Sequence, residues 1–556
     1  MLRVFSHIVC FFGSRSGLMA GLFPTLFLLL SCAGRKDHQL RLFRYNESTG
    51  IASLDPAFAK NQSVIWAVHQ LFNTLVETDS QMNIVPSLAK SWTISPDGLT
   101  YTFIIRSDVR FHDHPLFPGG KGRLMNAADV AYSLSRIIDP ATASSGAWIF
   151  NGKVAPENPF EALNDTTVVI RLVHPFRPLL GILSMQYCSV VPREIVEHYG
   201  KDFRRNPVGT GPFRFSLWEE GQALILLKNE HYFEKDSLGN RLPYIDGVQI
   251  SFLDNKAAEF LEFRQGKLDF INDIEPSFKD EILTKGGTLR KEWEGKIRLT
   301  RHPYLNTQYL GILVDTGSTV LRDSPLRQKK IRQALNYGFD RERMMLYLRN
   351  SIGIPAVSGF VPAGLPSFDS VSVRGYRYDP DKARKLLAEA GFPDGREMPP
   401  IKLLTHPVYT DLAAFIANEL ERTGIPVQVE TVRKSLLLEM TANGSAAFFL
   451  GSWIADYPDP ENFLAVFYGK NPAPPNYTRF RSADFDRLYE TALRENNDSI
   501  RNGIYREMDR IIVEEAPVVP LWYDMVIHLE QTHVTGFPAN ALNILELRRV
   551  NVSTSP

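Results

Sequence analysis

Cysteine is nearly absent: the 556-residue chain has three, Cys10, Cys32 and Cys188. That excludes a disulfide scaffold, and no spacing among the three matches a zinc pattern. An excess of one charge is absent too. Lys+Arg and Asp+Glu both total 62, without the basic surplus expected of a nucleic-acid binder. Beyond the N-terminal region no apolar run reaches the length of a membrane span. No Gly-Lys pair is followed by Ser or Thr, so there is no P-loop, and neither G-x-S-x-G nor H-E-x-x-H occurs. "GTGPF" at 209–213 begins like a dinucleotide fingerprint, but it lacks the third glycine and runs into Pro212 instead of opening a helix. "HDH" at 112–114 sets His112 and His114 two apart, on one face if the segment is a strand. No second His cluster supplies further ligands, and a solvated loop is the preferred reading. No metal and no cofactor are expected.

The N-terminal region reads apart from the fold. Arg3 and Arg15 precede the apolar run Leu18–Leu30, 13 residues long. That is short for a membrane span and fits the hydrophobic part of an export signal. It ends Leu29-Leu30-Ser31-Cys32, which resembles a bacterial lipobox, where cleavage precedes the cysteine and a diacylglycerol joins its sulfur. Residues 1–31 are therefore expected to be a lipoprotein signal peptide, Cys32 the lipidation site and 32–39 a tether. The mature chain would sit on the periplasmic side of the envelope, anchored to a membrane. An uncleaved anchor and an ordinary signal with a chance cysteine are the alternatives. Cys188, in the apolar stretch "SMQYCSVVP", reads as an inert buried thiol.

What is present is globular: 44% hydrophobic, 22% charged and 11% aromatic residues. A chain this long exceeds one core, so two or three lobes are expected. Ile65, Val68, Leu71, Phe72 and Leu75 recur at helical spacing. Asp97-Gly98 lies between two alternating segments and predicts a hairpin with Tyr101, Phe103 and Ile105 on one face. Asn126 caps a helix, and Ser324-Pro325 and Asp379-Pro380 open two more, the last ended by Gly391. Strand-like and helical stretches alternate, which implies α/β lobes.

The stretch "SWIADYPDPENF", Ser452–Phe463, crowds Asp456, Asp459 and Glu461 among aromatics and prolines. Two carboxylates could serve as acid and base, three could hold a metal, and one could meet the charge of a ligand. Pro458 and Pro460 stiffen the turn, and Asp459 reads as the cap of a helix with Glu461 in its first turn. An exported hydrolase using a carboxylate pair from 456–461 is the alternative of another class; so short a spacing gives no assured opposing geometry across a substrate.

Four segments, in order, carry a family resemblance. Trp92–Phe111 resembles the signature hairpin of the family 5 extracellular solute-binding proteins, the peptide, dipeptide and nickel receptors of bacterial ABC importers. "NPVGTGPF" from Asn206, "IRQALNYGFDRE" from Ile331 and "WIADYPDPENF" from Trp453 resemble three further elements of that family. "ASLDP" at 52–56 and "LPYIDG" at 242–247 add smaller matches, so the resemblance runs from about residue 40 to about 530. The loop after the hairpin departs from the family pattern: His114 follows Asp113 and "LFPGGKGR" intervenes.

The resemblance implies a periplasmic-binding-protein-like α/β fold: two hinged lobes around a ligand cleft, with a third accessory lobe. By analogy lobe I is 40–80, 208–303 and 523–556, lobe II, the accessory one, is 81–207, and lobe III is 304–522. It also implies a non-enzymatic, monomeric receptor that takes peptides, or another small solute such as a nickel chelate or a sugar, to ABC permease subunits. In peptide-binding relatives the aspartate matching Asp456 pairs with the α-ammonium group. Trp453, Tyr309 and Gln62 join Asp456 as candidate ligand contacts. A receptor for many peptides must hold what all of them share, the charged terminus and the backbone.

Overall fold

The Asp97-Gly98 turn shows how local sequence sets the architecture. In the computed structural model, which describes residues 40–275, 278–538 and 540–553, Gly98 takes φ +71°. Asp97 accepts hydrogen bonds from the Ser95 hydroxyl and the Leu99 N–H. The turn joins the antiparallel strands Ala89–Ile94 and Thr100–Ile105, and Tyr101, Phe103 and Ile105 all point into the core. Thr167–Arg171 and Phe160–Asn164 complete a four-stranded antiparallel sheet. Beside it the helix Ala127–Ile138 starts in a full capping box, Asn126 with Asp129.

Among the described residues, eleven strands form one large mixed sheet. Its order is Val427–Thr431, Ile401–Thr405, Phe448–Ile454, Ile297–Ile312, Val518–Gln531, Phe270–Asn272, Leu42–Asn46, Gly247–Ser251, Ala223–Lys228 and Phe213–Glu219, with Ile354–Pro355 paired to Val518–Gln531 off that path. Two strands dominate. Ile297–Ile312 has 16 residues and Val518–Gln531 has 14, and they pair antiparallel along almost their whole length. Their register shifts between Pro303 and Thr307 and between Gln308 and Tyr309, where bulges bend a sheet.

Alternate residues of Phe448–Ile454 serve different cores. Phe448 and Leu450 meet the helices Lys329–Tyr337, Pro380–Glu389 and Thr410–Arg422 through Ile331, Leu387 and Ile416. Phe449 instead joins Tyr505, Met508 and Ile512 of the helix Asp498–Glu515. Cys188 is buried with its Sγ against the Ile182 carbonyl, and burial pushes the thiol up.

Two boundaries differ from expectation. The helix over 65–75 is Gln62–Leu71, and Phe72 leaves it in extended conformation. The reason is tertiary: the Leu71 carbonyl accepts the Gly211 N–H at 2.9 Å, so the "GTGPF" segment meets the helix end. Ser324 caps only the single 3-10 turn Pro325–Arg327, and the α-helix begins at Lys329. Arg332 holds that turn apart by donating to the carbonyls of Leu326 and Arg327.

The glycines of "GTGPF" serve close packing. A Cβ on Gly209 would lie 2.1 Å from the Leu71 carbonyl oxygen, and one on Gly211 2.4 Å from the Leu71 carbonyl carbon. Because backbone must shift to admit a methyl, Gly211→Ala is expected to destabilise the protein by about 1–3 kcal/mol. The urea midpoint checks this; an unchanged midpoint would refute it.

Candidate functional site

The Ser452–Phe463 stretch begins as a strand. Trp453 sits opposite Thr307, and beyond the strand end the Ala455 N–H still donates to the Leu305 carbonyl at 2.8 Å. The chain then turns over Pro458 and Pro460, whose rings restrict φ. Asp459 Oδ1 accepts the Glu461 N–H at 2.9 Å, and the short helix Glu461–Leu464 follows.

The three carboxylates have different environments. Asp459 Oδ2 accepts from Arg501 Nη1 at 2.9 Å, with both side chains largely buried. Glu461 is fully enclosed and accepts from the Tyr457 phenol at 2.5 Å and from the Tyr489 phenol. Burial raises its pKa, and the two phenols oppose that. Both groups are committed to the protein. Asp456 has no cationic partner among the described residues, and the residue is exposed. The surrounding walls still strip away enough water to push its pKa up, while a hydrogen bond from Asn462 opposes that rise.

Asn462 organises the turn. Its Nδ2 donates to Asp456 Oδ2 at 3.4 Å, while its Oδ1 accepts from Trp453 Nε1 at 3.0 Å and from the Asp456 N–H at 3.3 Å. One amide thus fixes an aromatic wall and a charge relative to each other. Asn462→Ala leaves the half-buried indole N–H without its protein partner, a change costing about 0.5–1.5 kcal/mol. We expect the intrinsic fluorescence of the variant to shift and its Trp453–Asp456 geometry to loosen. An unshifted spectrum and an unchanged melting curve would speak against the role.

Asp456 opens onto a cavity of about 1160 Å³, larger than most small-molecule sites. Its walls come from distant parts of the chain: Gln62 and Trp66, Trp148 and Lys153, Tyr187, and the 453–462 turn. Asp456, Trp453 and Gln62, expected from sequence, are therefore brought together. Tyr309 is not. It shares a sheet face with Trp453 but lies two pairs deeper, where a Cβ on the opposing Gly451 would come within 2.8 Å of its ring. It is 4% exposed, packs edge-on to Phe360 at 5.1 Å and does not line the cavity. Asn462 and Lys153 also line the cavity and were not singled out; Asn462 stood inside the quoted motif, whereas Lys153 had no local signature.

His112 corrects the solvated-loop expectation. It is buried, its Nε2 donates to the Gly211 carbonyl at 3.0 Å and its Nδ1 accepts the Gly209 N–H at 3.3 Å. Burial brings its pKa down to about 4, so it is a neutral clamp on the "GTGPF" backbone. His114 pairs with the Tyr199 hydroxyl and the Leu116 N–H. Among the described residues no group of three or more His, Cys, Asp or Glu could hold a metal ion, and no helix is long and apolar enough to cross a membrane. The signal segment 1–31, Cys32 and the tether 32–39 lie outside the described residues.

Residues 83–475 match the family model described as bacterial extracellular solute-binding proteins, family 5 Middle. The chain is 29% identical over 486 residues to Heme-binding protein A of Haemophilus influenzae, covering 84% of each. It is 27% identical over 504 residues to Probable di/tripeptide-binding protein 5 of Pseudomonas aeruginosa, covering 87% of this chain and 90% of that one. Among solved structures, HbpA2 from Haemophilus parasuis superposes with a TM-score of 0.80 at 23% identity, covering 92% of this chain and 99% of that one.

Proposed function

Because the chain belongs to the family 5 extracellular solute-binding proteins, which serve ABC importers outside the cytoplasm, we propose that it captures di- or oligopeptides in the 1160 Å³ cavity and hands them to the permease. Members of this family bind and deliver solutes; they are not enzymes. The observation that carries the peptide reading is Asp456, a carboxylate without a cationic partner at a cavity wall, beside the Trp453 indole. An α-ammonium group supplies the missing charge, and a charge-assisted hydrogen bond of this kind is worth about 1.5–3 kcal/mol. Wet, roomy walls elsewhere accept varied side chains. The di/tripeptide-binding relative supports the same reading.

In this proposal lobe I is 40–80, 208–303 and 523–556, lobe II is 81–207 and lobe III is 304–522. The places where the register of the two long strands shifts support a boundary near 303. Cys32 carries a lipid that tethers the monomeric receptor to the membrane.

A second reading has an observation of its own. The heme-binding relative, together with the aromatic lining from Trp66, Trp148, Phe176, Tyr187 and Trp453, favours a flat apolar ligand. Native mass spectrometry of the protein purified from its own cells separates the two. Bound peptide masses uphold the proposal; hemin alone, with no peptide titratable by calorimetry, would replace it.

A further inference from the structure

Asp456 answers one end of a ligand, and the cavity holds a second charge, Lys153, that has neither an ion pair nor a hydrogen bond among the described residues. Lys153 sits on a pinned backbone: its N–H donates to the Phe150 carbonyl at 3.0 Å, and its carbonyl accepts the Val173 N–H at 2.9 Å. Its Nζ stands 5.4 Å from the centroid of the Phe176 ring, and both side chains line the cavity. Among the described residues Nζ makes neither an ion pair nor a hydrogen bond, while most lysines named in ion pairs here sit at the outer surface.

The neighbours sharpen the point. Burial lowers the Lys153 pKa, and only the field of Glu461 opposes it. The Glu461 oxygens are occupied by the phenols of Tyr457 and Tyr489, so this carboxylate is not a free partner. His174 lines the same wall, and its pKa is lowered by burial and then by the charges of Lys153 and Arg494. Lys153 thus stands in a corner whose carboxylate, Glu461, is already held by two phenols. An ammonium half-removed from water without a counter-charge is costly, and a ligand anion relieves that cost.

We infer that Lys153 is the anion-binding pole of the cavity and takes the terminal carboxylate of the peptide whose ammonium meets Asp456. The inference rests on the peptide reading above and narrows it: the preferred ligand is a short zwitterion with both termini free. A lysine suits a receptor for varied peptides. Its long flexible stem and three rotatable donors follow a carboxylate through several positions, whereas the planar fork of arginine fixes one. The spacing of the two poles then limits ligand length.

The test uses the purified full chain and calorimetry with di-, tri- and tetra-alanine, each free, C-amidated and N-acetylated. In the wild type, amidation is expected to weaken the best-fitting peptide roughly ten- to hundred-fold, as loss of a charge-assisted hydrogen bond requires. Lys153→Met keeps the stem volume and should bind free and amidated peptides alike. Lys153→Arg should retain discrimination, and unchanged melting curves would show both variants folded. If amidation costs nothing in the wild type, or Lys153→Met still discriminates, the anionic pole is overturned although the Asp456 reading stands. If acetylation costs nothing but amidation does, the Asp456 reading falls and Lys153 survives. Failure of every alanine peptide to bind overturns both.

Discussion

Asp456→Asn is expected to weaken binding of a free-amino peptide by about 100-fold or more, while an N-acetylated peptide binds wild type and variant alike. The size follows from what remains after the change. The ligand ammonium would still enter a cavity whose walls exclude much of the water, now with no charge to meet it. Removing one partner of an enclosed pair costs about 3–5 kcal/mol, discounted here because Asp456 is exposed. The asparagine preserves shape and the contact with Asn462, so the loss reports charge. Equal affinity of wild type and variant for the free peptide would remove Asp456 from the site.

The same residue sets two pH signatures. Burial raises the Asp456 pKa, so wild-type affinity for an ammonium ligand should decline on acidification sooner than an ordinary carboxylate would titrate. The Asp456→Asn profile should be flat across that range. For the ligand-free protein the sign reverses. A raised pKa means that the folded chain holds the proton more tightly than the unfolded one, and stability falls as pH rises through the folded value. At neutral pH the ligand-free variant should therefore melt no lower than the wild type, and slightly higher. A clear drop in the variant's melting temperature would contradict this.

The largest effect on stability is expected from Arg548→Met. Arg548 is enclosed with three carboxylates: Nη2 meets Glu77 at 3.1 Å and Glu546 at 2.7 Å, and Nη1 meets Glu234. Although burial pushes Glu546 up, Arg548 and His69 hold it well below the usual carboxylate range. Without the guanidinium three acids face one another, and a loss of about 3–5 kcal/mol follows, seen as a Tm several degrees lower. The damage would reach the cavity. His69 Nε2 lies 3.1 Å from Glu546, Trp66 Nε1 donates to the Asn543 carbonyl at 2.6 Å, and Gln70 Nε2 donates to the Leu545 carbonyl at 2.6 Å. The 543–548 segment thus clamps the helix that presents Gln62 and Trp66. Restoring stability by also replacing Glu77 and Glu234 with apolar residues of similar volume would confirm that stranded charge is the cause. An unaltered Tm in the single variant would refute it.

Local chemistry was legible in the sequence. The Asp97-Gly98 hairpin, the Asn126 capping box and the Asp379-Pro380 start each depend on residues within a few positions of one another. The long strands were not legible. Ile297–Ile312 shows no regular alternation in its first half and its last eight residues are all buried, and Val518–Gln531 is buried along nearly all its length. A strand covered on both faces has no period of two to read. Tyr309 failed as a cavity candidate for a related reason: sequence gave its neighbourhood, and the register against Gly451 decided its depth. Asn462 and Arg548 act through partners fixed only in three dimensions. The pair Arg548–Glu77 spans 471 positions, which no window along the chain could join.

The large sheet also dictates an order of assembly. Val518–Gln531 follows every other strand of that sheet along the chain, yet it lies in the interior, between Ile297–Ile312 and Phe270–Asn272. Without it the other strands of that sheet are left as two partial sheets, with no hydrogen bonds across the seam between them. Closing that seam is a long-range event, slow by nature and exposed to mispairing while it waits. The last strand of that sheet along the chain is its keystone, the one element that joins the two parts.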